Sequence, residues 1–184
     1  MPFVIADPLV ALRRVGRLLR DLHDAAQSFT PPHDAVWNVV IPPPGRADLV
    51  IHHDAAPWNL VLGSDRWVLI DWDNASPGSR LWDLAYTAHG FVPLSPQTPV
   101  EDAACLLIAL VDGYGLDGEG RAGLMDLLVP RTLSMYLLLE RGFKERHQPW
   151  VRLWKAGHGG VWKADADYID AHLACFREAL RDRE

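Results

Sequence analysis

Three residue types are scarce where a reader would look for them first: cysteine, lysine and, in the first quarter of the chain, glycine. Only two cysteines occur in 184 residues, Cys105 and Cys175, so a disulfide-stapled scaffold is excluded. Each sits in an apolar stretch of helical pattern, where a reduced, buried thiol is expected. The three lysines, Lys144, Lys155 and Lys163, all fall in the last quarter of the chain. Ahead of Gly45 the single glycine is Gly16, inside a helical pattern, so no glycine-rich phosphate loop can form there. The first seven residues carry no basic segment and no apolar core, and they do not read as a signal peptide. No run reaches the roughly 20 apolar residues of a membrane span, so a cytoplasmic location is expected. Positive charge is also short: the net charge is −6 and the pI near 5.7. A broad nucleic-acid or anionic-membrane surface is thereby disfavoured, and a cationic small molecule mildly favoured. What is present is ordinary for a folded domain, 49% hydrophobic and 23% charged, which excludes a disordered chain. Length predicts one domain over residues 1–184.

The pattern begins with a helix. Asp7-Pro8 supplies a capping side chain and then a residue whose missing N–H does no harm. Leu12, Val15, Leu19 and Leu22 recur at helical spacing, with Arg13, Arg14, Arg17 and Arg20 largely on the other faces. The helix is predicted to stop before Thr30-Pro31-Pro32. Short β-branched runs follow at 36–41 and 49–51, parted by a Pro42-Pro43-Pro44-Gly45 loop. Two more at 60–62 and 67–70 flank Gly63-Ser64-Asp65, which reads as a hairpin turn. From Arg80 the period is helical: 81–90, 100–114, 119–143 with an interruption near Pro130, and 164–181. The expected class is α+β, mainly α, a helical bundle with a small antiparallel hairpin sheet.

Polar residues punctuate 49–86 where a core strand would not place them. His52-His53-Asp54 closes one apolar run, Asn59 opens the next, and Asp71 and Asp73 close the third. Ionic groups at buried strand ends are costly unless paired, metal-bound or solvent-facing, so this cluster is a candidate site. A transition-metal site on His52, His53 and Asp54 fits poorly, because neighbours on an extended segment point to opposite sides. An oxygen-ligated Mg²⁺ site suits Asn59 and Asp71, leaving Asp54 to orient an attacking hydroxyl.

His52-x-Asp54-x-x-x-x-Asn59, then Ile70-Asp71-Trp72-Asp73, then Asp83-Leu84-Ala85, resembles the aminoglycoside phosphotransferase and choline kinase-like family. The resemblance implies the C-terminal lobe of a protein-kinase-like fold. It implies Asp54 as catalytic aspartate, Asn59 and Asp71 as Mg²⁺ ligands, and ATP or GTP as phosphoryl donor to a small-molecule hydroxyl. His52, Asp73 and Asp83 would support them: His52 through a bond to backbone near Asp71, Asp73 at or behind the metal, Asp83 as helix cap or brace of the catalytic loop. The family commonly has glycine where this chain has His53. Trp154, Trp162 and His158 read as packing and loop anchors.

The family's nucleotide lysine and glycine-rich loop lie ahead of the catalytic motif, where this chain has neither, so the N-terminal nucleotide lobe is expected to be absent. Three readings stay open. The chain is the catalytic lobe of a phosphotransferase; or a lobe without turnover that binds a small molecule or peptide, as in resistance or immunity; or a module docking on a chain that supplies the missing lobe. Loss of that lobe would bare an apolar face near Val36, Trp37, Val39 and Val40 and beside residues 70–73, favouring a homodimer or a partner chain.

Overall fold

The computed structural model describes residues 7–63 and 66–181. Helix α1 (Pro8–Ala26) starts where expected, with the Asp7 carboxylate accepting from the N–H groups of Leu9 and Val10. Strand β1 (Leu49–Ile51) leads into the His52–Asp54 loop, a 3₁₀ turn (Pro57–Asn59) and strand β2 (Leu60–Leu62). Strands β3 (Trp67–Leu69) and β4 (Ser76–Gly78) precede α2 (Arg80–Phe91), α3 (Val100–Tyr114), α4 (Gly118–Lys144), α5 (Trp150–Lys155) and α6 (His158–Ala179). The chain is mainly helical with two small antiparallel sheets, the α+β class the pattern predicts.

The hairpin pairs β2 with β3, with Val61 opposite Val68; Ser64 and Asp65 of its turn lie outside the described residues. The other pair was not foreseen. Ser76-Pro77-Gly78 forms β4 against β1, with Val50 opposite Pro77. Each sheet has two strands, so both strands are edges, where a proline's missing donor is tolerated. Gly78 is required by close approach: a Cβ there would run into the Ile51 side chain, which is fully buried.

Four expectations need correction. Residues 36–41 form no strand; they run as an irregular segment between a turn at 33–34 and Pro42-Pro43-Pro44 and find no pairing partner, with Val36 95% exposed. Pro130 does not interrupt α4, because it lies on the exposed side, where water can reach the Asp126 carbonyl that loses its donor. The final helix begins six residues earlier than its pattern suggested, at His158, and α5 was not anticipated. Cys105 and Cys175 are free as expected but exposed, each on the outer side of its helix.

The core forms where the helices meet. Leu12, Val15 and Leu19 of α1 pack with Leu107, Leu110 and Val111 of α3, and with Leu84 and Ala88 of α2. Leu124, Met125 and Leu128 of α4 meet Ile169 and Phe176 of α6. Helices α1 and α3 touch backbone to backbone, since Gly16 faces the Leu110 carbonyl and Gly113 faces Arg13. Helix α4 is long and apolar enough to cross a membrane by length and composition. Here α2, α5 and α6 pack against it, and Arg131 is buried along it. Strand β1 lies against α1 and α2, and the loop that follows it is bonded to side chains of α2 and α4.

Candidate active site

The loop after β1 is held from below by one carboxylate. Asp83, fully buried in the first turn of α2, accepts the backbone N–H of His53 through Oδ1 (2.8 Å) and that of His52 through Oδ2 (3.0 Å). The same Oδ2 accepts from Nε2 of the buried His23 of α1 (3.1 Å), whose Nδ1 meets the Tyr114 hydroxyl of α3 (2.8 Å). Burial pushes Asp83 up, but the His23 hydrogen bond and charge, His53 and the loop amide outweigh it, and its carboxyl titrates below the ordinary 3.8. Asp83 is therefore the brace rather than the cap; Ser79 caps α2 by accepting from the Trp82 N–H.

His52 ties the two acidic motifs together. Its Nε2–H donates to the Ile70 carbonyl (3.0 Å), and its Nδ1 accepts the Asp54 N–H (3.3 Å), a network that assigns the Nε2–H tautomer. The Ile70 N–H in turn donates to the Asn59 carbonyl (2.9 Å). Residues 52–54, 59 and 70 thus form one hydrogen-bonded unit, and Asp71 follows directly on it. The expected bond from His52 to backbone beside Asp71 is present.

Both loops are strained. His53 (φ 65°) and Asp71 (φ 64°) adopt the left-handed conformation that glycine favours. Such outliers persist where surrounding bonds over-determine them. His53 has its N–H on Asp83 and its carbonyl accepting from Nη2 of Arg131 (3.1 Å). Burial, helped by the Arg131 charge, pushes the His53 ring below its usual pKa despite Asp83 nearby, so it is neutral at pH 7.

Asp54 stands at the mouth of a cleft of about 190 Å³. Its Oδ1 accepts from the Tyr86 hydroxyl (2.6 Å) and its Oδ2 from Nδ2 of Asn59 (3.0 Å). Nδ2 of Asn59 also donates to the Asp54 carbonyl (2.9 Å). The amide nitrogen is committed to Asp54, and the amide oxygen is the atom left for a cation. The Asp71 and Asp73 side chains are exposed and make no hydrogen bond or ion pair with any described residue. Asn59 and Asp71 are hard oxygen donors on one bonded unit, the donor set Mg²⁺ prefers. No group of three His, Cys, Asp or Glu suited to a metal occurs among the described residues.

Two residues of this site were not singled out from sequence. Tyr86, one helical turn beyond Asp83, is nearly buried, and burial together with the Asp54 carboxylate raises its hydroxyl far above the normal value, so it remains a donor. Arg131 is 2% exposed, its guanidinium 4.3 Å from the Tyr86 ring centre and 5.2 Å from that of Trp82. Burial lowers it to about 10, which leaves it charged at neutral pH. An arginine inside the apolar run Leu127–Leu138 was the available signal. Val40 and Ile41, read as strand, instead line the cleft with Trp58 and Trp150. Trp154 and Trp162 are packing residues, stacked on Phe143 and His89 respectively, and His158 is exposed.

Residues 35–124 match the sequence model of the phosphotransferase enzyme family (APH). The resemblance drawn from the motifs holds over this segment, which contains all of them. Among curated proteins, the chain is similar to the trifolitoxin immunity protein of Rhizobium leguminosarum bv. trifolii, 34% identical over 135 residues, which cover 65% of this chain. The alignment spans 50% of that relative's length. No solved structure matches the chain.

Proposed function

We propose that this chain is the catalytic and acceptor-binding part of a Mg²⁺-dependent small-molecule O-phosphotransferase. The observation that carries this reading is the held Asp54: a carboxylate fixed by Tyr86 and Asn59 at a cleft mouth, on a loop locked to the Asp71 segment through His52. Each Asp54 oxygen accepts one bond from the protein and keeps a lone pair. A hydroxyl seated in the cleft would donate its proton there as its oxygen forms a bond to the γ-phosphorus of ATP or GTP and the nucleoside diphosphate oxygen leaves. Asn59 and Asp71 would hold Mg²⁺, which when bound neutralises charge on the phosphates. The Asn59 amide has two tasks in this reading, orienting Asp54 through nitrogen and the ion through oxygen.

The nucleotide-holding surface is proposed to close on the apolar groove lined by Leu18, Leu22, Phe29, Val50 and Trp72, beside the Asp71 segment. Trp72, which lines it, is 45% exposed and Ile70, two residues earlier, 44%, a patch suited to a covering lobe, a second copy or a partner chain. A cytoplasmic location fits a nucleotide-dependent enzyme.

The test is transfer of labelled γ-phosphoryl from ATP or GTP to a panel of alcohols by the full-length protein with Mg²⁺. Asp54→Asn is expected to lower the rate by roughly 10²–10⁴-fold with an unchanged melting midpoint. A transferring enzyme indifferent to both Asp54→Asn and Asp71→Asn refutes the assignment.

A second reading, protection by binding without turnover, is favoured by one observation: the similarity to a protein named for immunity to trifolitoxin. Cells challenged with a toxin separate the two. Protection that survives Asp54→Asn supports sequestration, and protection lost with it supports phosphorylation.

A further inference from the structure

We infer that the cleft at Asp54 takes a neutral alcohol with an apolar body, and not a cationic or polycationic one; the inference rests on the reading of that cleft as the acceptor site. The chain as a whole is acidic, yet a single carboxylate lines this cleft among the described residues. Of the residues that line it, one is a carboxylate, Asp54, and one a guanidinium, Arg131. Both Asp54 oxygens already accept a protein hydrogen bond. Arg131 is held in the wall by Nη2 on the His53 carbonyl and Nη1 on Ser134 Oγ (3.3 Å). The remaining walls are chiefly Val40, Ile41, Trp58, Met135, Leu138 and Trp150.

The two charges that line the cleft oppose each other, and the buried Asp83 carboxylate behind the loop is engaged by the His52 and His53 N–H groups and the His23 ring. A cation entering the cleft loses hydration and meets no net attraction in return, which is costly away from water. Aromatic faces could compensate a quaternary ammonium in part. The Tyr86 ring already carries the Arg131 guanidinium at 4.3 Å and stacks with Trp162 at 6.2 Å. An uncharged body of the same shape loses no ionic hydration and gains the full contact with Trp58, Trp150 and the aliphatic walls. Arg131 is the specificity-determining residue in this account: it removes the local negative field that Asp54 would otherwise present. Trp58, 63% exposed at the cleft edge, supplies apolar contact and holds nothing else in place by hydrogen bonding.

The test uses a pair of alcohols identical in shape and different in charge: choline and its carbon isostere 3,3-dimethylbutan-1-ol. Binding to the full-length protein is followed without nucleotide by indole N–H resonances, assigned with Trp58→Phe and Trp150→Phe. The isostere is expected to shift the Trp58 and Trp150 signals and to bind about tenfold more tightly than choline, the effect of roughly 1.4 kcal/mol. Trp58→Ala is expected to weaken isostere binding several-fold with the fold intact. Arg131→Met is expected to narrow or invert the preference; because that residue is buried, Arg131→Lys, which keeps the charge, is the companion variant and should retain it. Choline binding as tightly as the isostere, shifts confined to residues away from the cleft, or silence from both alcohols up to their solubility each overturn the inference. Binding is read apart from turnover. Isostere binding without phosphoryl transfer refutes the catalytic reading alone, and transfer with choline preferred refutes this inference alone.

Discussion

Replacing Asp83 with asparagine removes the charge on which three donors converge while changing almost no volume. In the native chain two loop N–H groups and the His23 ring donate to it, from α1 and from the loop after β1. An amide can accept with its oxygen and must present an N–H₂ to at least one of these donors. One donor is left facing another donor inside a site with no access to water. Hydrogen bonds to a buried charged acceptor contribute about 1.5–3 kcal/mol each. Breaking one partner of a buried ionic group costs about 3–5 kcal/mol. A loss of about 3–4 kcal/mol is therefore expected, which at a urea slope of about 2 kcal/mol per molar lowers the midpoint by about 1.5–2 M. The same loss should appear locally, as faster amide exchange at His52 and His53.

The pH dependence gives a second reading of the same bond. The native carboxyl titrates below its ordinary 3.8. A depressed folded-state pKa contributes stability that is fully present above the unfolded value and is lost as pH falls through the folded one. The difference in stability between native protein and Asp83→Asn should be constant from pH 7 down to about 5 and shrink below about pH 4. A midpoint shift under about 0.3 M with the two amides still protected would refute the brace. So would a difference that grows toward acid.

Tyr86→Phe deletes the 2.6 Å donor to Asp54 and leaves the ring under Arg131; it should lower kcat about tenfold with KM little changed and alter the melting midpoint only slightly. A drop in KM affinity with kcat intact would mean that Tyr86 contacts acceptor rather than positions Asp54. His53→Gly relieves the positive φ, worth about 1 kcal/mol, but empties a buried ring from beside Gly78; a net loss of about 1–2 kcal/mol in urea denaturation is expected, and a gain would show that the strain outweighs the packing. Gly113→Ala forces a methyl into the Arg13 backbone between α1 and α3, and calorimetry should show a loss of about 2–3 kcal/mol; a neutral result would mean that the two helices can part without cost.

The site's polar skeleton was legible because its residues are out of place locally. Asp54, Asn59 and Asp71 interrupt apolar runs, and their spacing follows from a loop, a single 3₁₀ turn and a hairpin, all short enough to leave little freedom. His52 and Asp83 could be given supporting tasks for the same reason. What sequence order could not carry was contact over distance. Arg131 reaches the His53 carbonyl across 78 positions, and nothing near either residue announces the other. Strand β4 was hidden because Ser76-Pro77-Gly78 has turn chemistry; only the partner β1 makes it a strand. The reverse error occurred at 36–41, where β-branched residues had strand propensity and no partner. The cysteines misled because an apolar helix still has an outer side.

The His53 position shows how this loop does without the glycine that a positive φ favours. A side chain at φ 65° is disfavoured by roughly 1–2 kcal/mol, so it needs restraint at both peptide groups. Asp83 supplies one restraint from α2 and Arg131 the other from α4. The same two residues reach Asp54 by separate routes, Asp83 through the loop backbone and Arg131 through the Tyr86 ring and hydroxyl. Conformation of the loop and orientation of the carboxylate are thus set by one pair of buried, oppositely charged side chains. That coupling explains why a full charge is kept inside α4, where an apolar residue would pack at lower cost. With methionine at 131 the helix could still form, but His53 would lose the donor to its carbonyl and Tyr86 the cation beneath its ring. Asp54 would then be held by Asn59 and by a tyrosine free to turn away from it.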